Sequence, residues 1–129
     1  MMLETGDTVR HRYELDHKLG EGSVGEVWKG YHTSLDMPVA IKFLFHGDHK
    51  ELPMRFRREA KLMARVRHPN IVQIMDFGLV EDTPYIVMEF LTGHTLTREL
   101  WHHGAMKPLR AHRLMCRALH ALELAHRAG

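Results

Sequence analysis

Three glycines at positions 20, 22 and 25 are the residues whose spacing most directly suggests chemistry. They follow the pattern G-x-G-x-x-G, and Val27 comes shortly after the last of them. Because glycine lacks a Cβ, the backbone N–H groups of such a loop can close on phosphate oxygens. Taken alone the pattern is weak evidence, since glycines also mark ordinary turns. The loop therefore indicates a phosphate site whose type depends on the elements around it.

The segments that flank the glycine loop distinguish between two nucleotide folds. In a dinucleotide-binding unit the third glycine opens a helix. Here residues 24–31 are rich in β-branched and aromatic side chains and carry no helix start signal, so they predict a strand. A second extended run over residues 38–44 has Lys42 at its centre. The loop is thus predicted to be a hairpin turn between two strands, and a plain glycine hairpin beside a solvated lysine is the alternative.

The glycine loop and the lysine strand together resemble the N-terminal lobe of eukaryotic-type protein kinases. Residues 55–60 (R-F-R-R-E-A) and 68–72 (H-P-N-I-V) look like the bacterial branch of Ser/Thr protein kinases. The resemblance implies an α+β fold, with a kinase-like small lobe of one five-stranded antiparallel sheet and one helix, followed by two helices of a truncated large lobe. Residues 1–12 look like a polar lead-in, and the resemblance implies the N-terminal lobe and hinge at 13–91 and the first helices of the C-terminal lobe at 92–129.

The resemblance also implies roles for individual residues. In the family the glycine loop covers the ATP phosphates, and a strand lysine held by a helix glutamate contacts the α- and β-phosphates. The matching catalytic pair in this sequence is Lys42 and Glu59. The residues implied to bind the nucleotide are Leu19, Gly20, Gly22, Ser23, Gly25, Val27, Ala40, Lys42, Met88, Glu89, Leu91 and Thr95.

Three of these residues have plainer interpretations that the sequence leaves open. Glu59 lies among arginines, where a helical carboxylate is usually a solvated i, i+4 partner, although the resemblance favours the pair with Lys42. Thr95 matches a position near the ribose and is equally explained as a helix cap. Met88 matches the position of the family's gatekeeper, and a plain buried strand explains it as well.

Hydrophobic periodicity predicts the remaining elements. After a polar loop at 47–50, a helical period from Glu51 onward predicts an amphipathic helix that ends before Pro69. The further predicted elements are strands over 72–79 and 84–90, a turn at 81–83, and helices over 96–102 and 107–127. The apolar stripe of the last helix consists of Leu114, Met115, Ala118, Ala121, Leu122 and Ala125.

Two further patterns suggest metal chemistry, and neither is assigned a metal. Asp76-Phe77-Gly78 spells the metal-binding tripeptide of the family, but it precedes the hinge in chain order, so we interpret it as a strand end with a turn glycine. His112, Cys116 and His120 share one face of the long helix, as zinc or copper ligands would. Without ligands from a second element, surface histidines beside a buried cysteine are the favoured interpretation.

Composition narrows the class of protein. At 129 residues the chain is one domain or part of one, and a net charge of +2 is too mild to indicate nucleic-acid binding. Cys116 is the one cysteine, which is compatible with a reducing compartment. The first twelve residues contain no apolar signal region, and no apolar run is long enough to span a membrane. These features predict a cytoplasmic protein without a membrane partner.

The family's catalytic loop motif, H-R-D-x-x-x-x-N, does not occur in this sequence. We therefore interpret the chain as the N-terminal part of an ATP-dependent Ser/Thr protein kinase that is inactive alone. Phosphorylation of a protein substrate, with Mg²⁺ as the metal, would belong to the full-length parent. The alternative is a truncated nucleotide-binding or protein-interaction module without transferase activity. The apolar stripe of the 107–127 helix predicts self-association or a partner chain.

Overall fold

A computed structural model describes residues 2–45 and 52–129, and these form six strands and three helices. The predicted loop at 47–50 and the predicted helix start at Glu51 lie outside the described residues. The elements in chain order are β1 (Thr8–Val9), β2 (Tyr13–Gly22), β3 (Gly25–His32), β4 (Met37–Leu44), α1 (Leu52–Arg65), β5 (Ile74–Val80), β6 (Thr83–Glu89), α2 (Leu96–His103) and α3 (Pro108–Ala128). The strands form one antiparallel sheet in the order β1-β2-β3-β4-β6-β5.

The lead-in at residues 1–12 is more than the polar segment that the sequence predicted. It contains β1, which pairs with β2 and makes the sheet six-stranded instead of five-stranded. Val9 is 2% exposed and belongs to the core, while the Leu15 N–H donates to the Asp7 carbonyl at 2.8 Å. A two-residue strand is too short to show an alternating pattern, which is why periodicity missed it.

The core lies on one face of the sheet and is centred on β4. Along this strand Val39, Ile41 and Phe43 are completely buried, whereas Lys42 between them faces the other side of the sheet. Full burial of each large apolar side chain stabilises the fold by about 1.5–3 kcal/mol. The other core residues come from β1, β2, β3 and β6 and are Val9, Tyr13, Leu15, Trp28, Tyr85 and Val87.

The turn between β5 and β6 lies at Glu81 and Asp82, within the predicted turn. Both residues have positive φ angles, 46° and 66°, as a type I′ hairpin turn requires. The Asp76-Phe77-Gly78 tripeptide is therefore in the middle of β5, and its interpretation as a strand end with a turn glycine was wrong. Gly78 pairs with Tyr85, and a Cβ at position 78 would lie 2.7 Å from the Tyr85 Oη. The glycine makes room for a tyrosine and does not turn the chain.

The helices confirm the periodicity, with α2 and α3 ending one residue beyond the predicted bounds. Helix α1 packs against β5 and β6. The segment after α1 is tied to α3 because the Asn70 side chain donates to the Arg117 carbonyl at 3.1 Å. On α3, Ala121 is buried, but Met115 and Leu122 of the predicted stripe are 53% and 50% exposed.

Glu99 connects the two C-terminal helices. Its carboxylate, on α2, pairs with His94 in the preceding loop and accepts a 2.6 Å hydrogen bond from Arg110 in the first turn of α3. The hydrogen bond with His94, followed by that from Arg110, lowers the pKa of Glu99 to about 2. The ionised carboxylate thus helps to hold α2 against the start of α3.

This lowered pKa predicts an acid-sensitive contribution to stability. A carboxylate with a pKa lowered on folding stabilises the fold fully above its unfolded pKa of 4.5, and the contribution disappears as the pH falls toward 2. We therefore expect the difference in unfolding free energy between the wild type and Glu99→Gln to be largest at neutral pH and to shrink below 4.5. Urea unfolding followed by circular dichroism at several pH values measures it. Glu123→Gln removes a carboxylate with one arginine partner, and an equal pH dependence in that variant would contradict the assignment.

Candidate functional site

The glycine loop is a tight hairpin at the junction of β2 and β3. Gly22 and Gly25 face each other across the two strands, and Ser23 and Val24 form the turn between them. The Phe45 N–H donates to the Val24 carbonyl at 2.9 Å, which fastens the tip of the hairpin to the end of β4. The structure thus places the loop between strands, as the sequence predicted.

The three glycines of the loop have different structural requirements. A Cβ at Gly25 would lie 1.9 Å from the Phe43 carbonyl oxygen, so β3 and β4 can approach each other there because residue 25 is glycine. Around Gly20 and Gly22 nothing lies within 4 Å of an added Cβ, and both residues are exposed. Packing within the described chain therefore explains the third glycine and leaves the first two with accessible backbone, as a phosphate cradle needs.

Strand register brings four of the predicted nucleotide contacts onto one face of the sheet. Val27 of β3 lies opposite Lys42 of β4, and Ala40 lies opposite Met88 of β6. Lys42 and Ala40 are two residues apart, so their side chains point to the same side, away from the core face. We call the surface formed by Val27, Ala40, Lys42 and Met88 the lysine face. Ala40 is buried and the other three are partly buried, and Lys29 of β3, opposite Ala40, adds a second cation on the same side of the sheet.

Sequence reasoning missed an ion pair between an exposed lysine and a buried carboxylate that braces the glycine hairpin. Glu26, at 6% exposure, pairs with Lys18 across the hairpin at 2.7 Å and accepts a 3.0 Å hydrogen bond from the Trp28 indole. Burial raises the pKa of Glu26, but the hydrogen bonds from Lys18 and Trp28 outweigh it, and the net pKa is lowered. The hydrogen bond with Glu26 raises the pKa of Lys18. The available signal was the placement of Glu26 and Trp28 two apart on one strand face.

Glu59 occupies a different place from the one that its predicted pairing with Lys42 requires. Among the ion pairs of the described residues, none joins Lys42 to Glu59. Glu59 is exposed on α1 and lines a cavity of about 350 Å³ between α1 and α3, together with Met63 and Leu122. In this arrangement the Glu59 carboxylate does not form an ion pair with Lys42 of the lysine face.

Four of the remaining predicted contacts are Leu19 in β2, Glu89 at the end of β6, and Leu91 and Thr95 in the segment that follows β6. The Glu89 N–H donates to the Gln73 carbonyl at 3.0 Å, and the Glu89 side chain accepts from the Gln73 N–H. Leu19 and Leu91 are 45% and 58% exposed, so both flank the lysine face without a packed environment. Thr95 caps α2, because its hydroxyl accepts from the Arg98 N–H at 3.2 Å. The cap interpretation is confirmed, and a contact with ribose stays a prediction.

The two sequence patterns that suggested metal chemistry are Asp76-Phe77-Gly78 on β5 and the row of His112, Cys116 and His120 on α3. Asp76 accepts hydrogen bonds from the Tyr13 hydroxyl and Arg12 at 2.8 and 3.2 Å, so protein groups occupy its carboxylate. The Cys116 Sγ lies 3.5 Å from the His112 Nε2. Within residues 2–45 and 52–129, no three His, Cys, Asp or Glu side chains are placed to share a metal ion. None of the helices in these ranges is both long and apolar enough to cross a membrane.

Comparison with known proteins agrees with this geometry. The sequence model described as "Protein kinase domain" matches residues 13–129. The chain is 36% identical over 128 residues to the serine/threonine-protein kinase pkn3 of Myxococcus xanthus, and 44% identical over 128 residues to the probable serine/threonine-protein kinase SCO3848 of Streptomyces coelicolor. These alignments cover 96% and 92% of the chain.

A solved structure matches the same fold. The PknI kinase domain of Mycobacterium tuberculosis superimposes with a TM-score of 0.86 at 28% identity and covers 100% of this chain. The match spans 54% of that kinase domain. The alignments with pkn3 and SCO3848 span 23% and 18% of those proteins. The chain therefore corresponds to about half of a kinase domain and to less than a quarter of the curated relatives.

The different surroundings of Gly25 and Gly22 predict different effects of alanine substitution on stability. Gly25→Ala forces a Cβ against the Phe43 carbonyl, and we expect it to lower the unfolding free energy by about 1–3 kcal/mol. Gly22→Ala meets open space, and we expect a change within about 0.5 kcal/mol. Chemical unfolding of both variants measures the difference. If both substitutions destabilised the chain equally, Gly22 would also be required for folding, and the distinction between the two glycines would be wrong.

Proposed function

Because this chain belongs to the protein kinase domain family, we propose that it is the ATP-binding N-terminal part of a Ser/Thr protein kinase. One observation carries the proposal. The strand register aligns Val27, Ala40, Lys42 and Met88 on the lysine face, beside a hairpin whose first two glycines have open space around them. A mainly apolar surface with the Lys42 cation next to exposed backbone N–H groups suits a planar base that carries phosphates.

Each part of the lysine face has a role in this proposal. The backbone at Gly20, Gly22 and Ser23 contacts the phosphates, and the Lys42 ammonium pairs with the α- and β-phosphate oxygens. Val27 and Ala40 contact the adenine ring from the sheet side. Met88 lies at the gatekeeper position, and the backbone from Glu89 to Leu91 hydrogen-bonds the edge of the adenine.

The brace of Lys18, Glu26 and Trp28 supports the same function. A phosphate cradle works when its N–H groups are held in place before the ligand arrives. The ion pair between Lys18 of β2 and Glu26 of β3 ties the two strands of the hairpin together just below the loop, and the indole hydrogen bond from Trp28 holds the Glu26 carboxylate in place. A stiff hairpin base therefore carries a loop whose tip is exposed.

Phosphoryl transfer belongs to the full-length parent in this proposal. ATP, when bound, supplies the phosphoryl group, and Mg²⁺ neutralises its charge with ligands that the parent provides. The full kinase domain brings Glu59 to Lys42, since the position of this helix controls the pair in the family. The parent's substrate is a protein Ser or Thr hydroxyl. A cytoplasmic location stays a prediction from composition.

Nucleotide affinity of the isolated chain is the test of the proposal. Because Leu19 and Leu91 are 45% and 58% exposed, much of the adenine surface would remain in water. We expect a dissociation constant for ATP of about 100 μM or weaker, which is about −5.5 kcal/mol. Lys42→Ala should weaken binding by about tenfold or more, because it removes the cation of the lysine face.

Isothermal titration calorimetry with ATP makes the measurement. Lys107→Ala is the matched control, since Lys107 precedes α3 and its side chain makes no capping hydrogen bond. Submicromolar binding would contradict the expected affinity. Equal loss in the Lys42 and Lys107 variants would show that ATP does not use the lysine face.

A second candidate function, a protein-interaction module, is favoured by the exposed apolar side chains of α3. Leu114, Met115 and Leu122 are 37%, 53% and 50% exposed on the predicted stripe. Covering such side chains stabilises an assembly by up to about 1.5–3 kcal/mol each. A contiguous apolar patch of this kind marks an interaction surface.

We predict that the isolated chain self-associates at micromolar concentration through α3. Leu122→Glu should shift the mass measured by light scattering toward the 15.0 kDa monomer, because it puts a charge in the centre of the stripe. Leu35→Glu is the matched control, since Leu35 is 61% exposed in the turn before β4. A wild-type chain that is already monomeric would rule out self-association through this helix.

A further inference from the structure

One lysine and two aromatic side chains border the lysine face at the end where the chain leaves β6. The Lys29 ammonium lies 4.9 Å from the centroid of the Phe90 ring and 5.3 Å from the centroid of the Tyr31 ring. Both distances are within the roughly 6 Å over which a cation is attracted to the face of an aromatic ring. We call these three residues the cation–π cluster.

Strand register explains why the three side chains of the cation–π cluster meet. Lys29 pairs with Ala40 and Ala40 pairs with Met88, so one row of residues crosses β3, β4 and β6. Tyr31 and Phe90 each come two residues after a member of this row, and side chains two apart on a strand point to the same side of the sheet. The cluster therefore connects β3 with the first residue beyond β6.

The aromatic rings are the partners of the Lys29 ammonium. Lys18 offers a contrast, because it lies 5.9 Å from the Trp28 ring but pairs with the Glu21 and Glu26 carboxylates at 3.1 and 2.7 Å. Among the ion pairs of residues 2–45 and 52–129, none involves Lys29. Lys29 is partly buried, and two ring faces stabilise its charge in place of a carboxylate.

Phe90 is the middle residue of the segment 89–91, whose backbone is proposed to hydrogen-bond the edge of the adenine. Glu89 is fixed on the side of β5, because its N–H donates to the Gln73 carbonyl at 3.0 Å. Leu91 is 58% exposed. The Lys29 contact holds the side chain between these two residues from the opposite side, that of β3. It therefore restricts the peptide groups on both sides of Phe90.

We propose that Lys29 is a positioning residue for the base of the nucleotide. Through its contact with Phe90 it orients the backbone of residues 89–91 for hydrogen bonding, and Tyr31 keeps the ammonium in place. This role rests on the proposed nucleotide binding and adds to it a residue that acts on the base and leaves the phosphates to Lys42 and the glycine loop.

A direct contact with the phosphates is the alternative role for a second cation on this side of the sheet. Lys29 is four residues from Gly25 along β3, which separates their backbones by about 13 Å. Its ammonium lies over the rings of Tyr31 and Phe90, and both of these residues are farther from the glycine loop than Lys29 itself. The geometry therefore favours the positioning role.

Nuclear magnetic resonance titrations of the whole 129-residue chain with ATP and with inorganic tripolyphosphate test the proposal. Tripolyphosphate has phosphates and no base, so the backbone of residues 89–91 contributes to the affinity for ATP alone. Lys29→Gln should weaken ATP binding by about three- to fivefold, the size expected for a partly exposed cation–π contact. It should leave tripolyphosphate binding unchanged in about 150 mM salt, where charges more than about 8 Å apart are largely screened.

Three further variants assign the effect to the contact with Phe90. Lys29→Arg keeps a cation that stacks on aromatic faces and should bind ATP as the wild type does. Phe90→Leu should lose as much ATP affinity as Lys29→Gln, and the double variant should lose no more than either, because both changes remove one contact. Lys107→Gln is the matched control for the lost charge and should bind both ligands as the wild type does. Circular dichroism melts show that each variant is folded.

The proton spectrum of the chain without ligand measures the contact separately from nucleotide binding. Because the Lys29 ammonium lies over two ring faces, its ε-methylene protons should resonate upfield of those of Lys107. The difference should decrease in Phe90→Leu. Ordinary shifts for Lys29 in the folded wild type would show that the contact is absent, whatever the affinity for ATP.

The titrations distinguish failure of this role from failure of the proposed function. Equal ATP affinity in the wild type and Lys29→Gln would overturn the positioning role and leave the nucleotide function standing. A parallel loss of ATP and tripolyphosphate in Lys29→Gln would make Lys29 a phosphate contact, and an equal ATP loss in Lys29→Arg would contradict the cation–π mechanism. A wild-type chain that binds neither ligand would reject the nucleotide function and this role together, even with the Lys29 protons upfield.

Discussion

The two-residue period of β4 is the constraint on which the rest of the structure depends. Val39, Ile41 and Phe43 are completely buried on one side, and this fixes Ala40 and Lys42 on the other. A slip of one residue in its pairing with β3 or β6 would bury the lysine and expose the core. Because β3 pairs with the whole of β4 and β6 pairs with its residues 39–43, the position of the Lys42 cation is set by the packing of apolar residues on the opposite face.

The elements with a clear period could be predicted from the sequence, and the exceptions have physical causes. Strands β3 and β4 and helices α2 and α3 appear within one residue of their predicted bounds. Strand β1 was missed because two residues cannot show alternation. The place of Asp76-Phe77-Gly78 in β5 was mispredicted because glycine was taken as a turn residue, whereas the turn is made by Glu81 and Asp82 with positive φ. Position 78 requires glycine because the Tyr85 side chain on the paired strand fills the space that a Cβ would need.

The parts of the candidate site that could be predicted from the sequence are those set by alternation along a single strand. The positions of Val27, Ala40, Lys42 and Met88 follow from alternation, and the register then aligns them. Contacts that depend on three-dimensional packing could not be predicted from the sequence. The pair of Lys18 and Glu26 spans a hairpin with a register shift between Lys18 and Gly20, so sequence spacing does not reveal which side chains meet. The pairing of Lys42 with Glu59 depends on how α1 lies against the sheet, which no local pattern encodes.

The two sides of the sheet carry different basic residues, with lysines on one side and arginines on the other. On the side of the lysine face, Lys42 and Lys29 lie among apolar side chains, which suits a ligand with an anionic part and a planar apolar part. On the other side Arg10 and Arg12 line a cavity with two buried tyrosines, Tyr13 and Tyr85. Helix α1 packs against β5 and β6 at one edge of the sheet and carries Glu59 exposed on its surface. A shift of α1 against these two strands would therefore move Glu59 relative to Lys42, so the position of the helix decides whether the proposed pair can form.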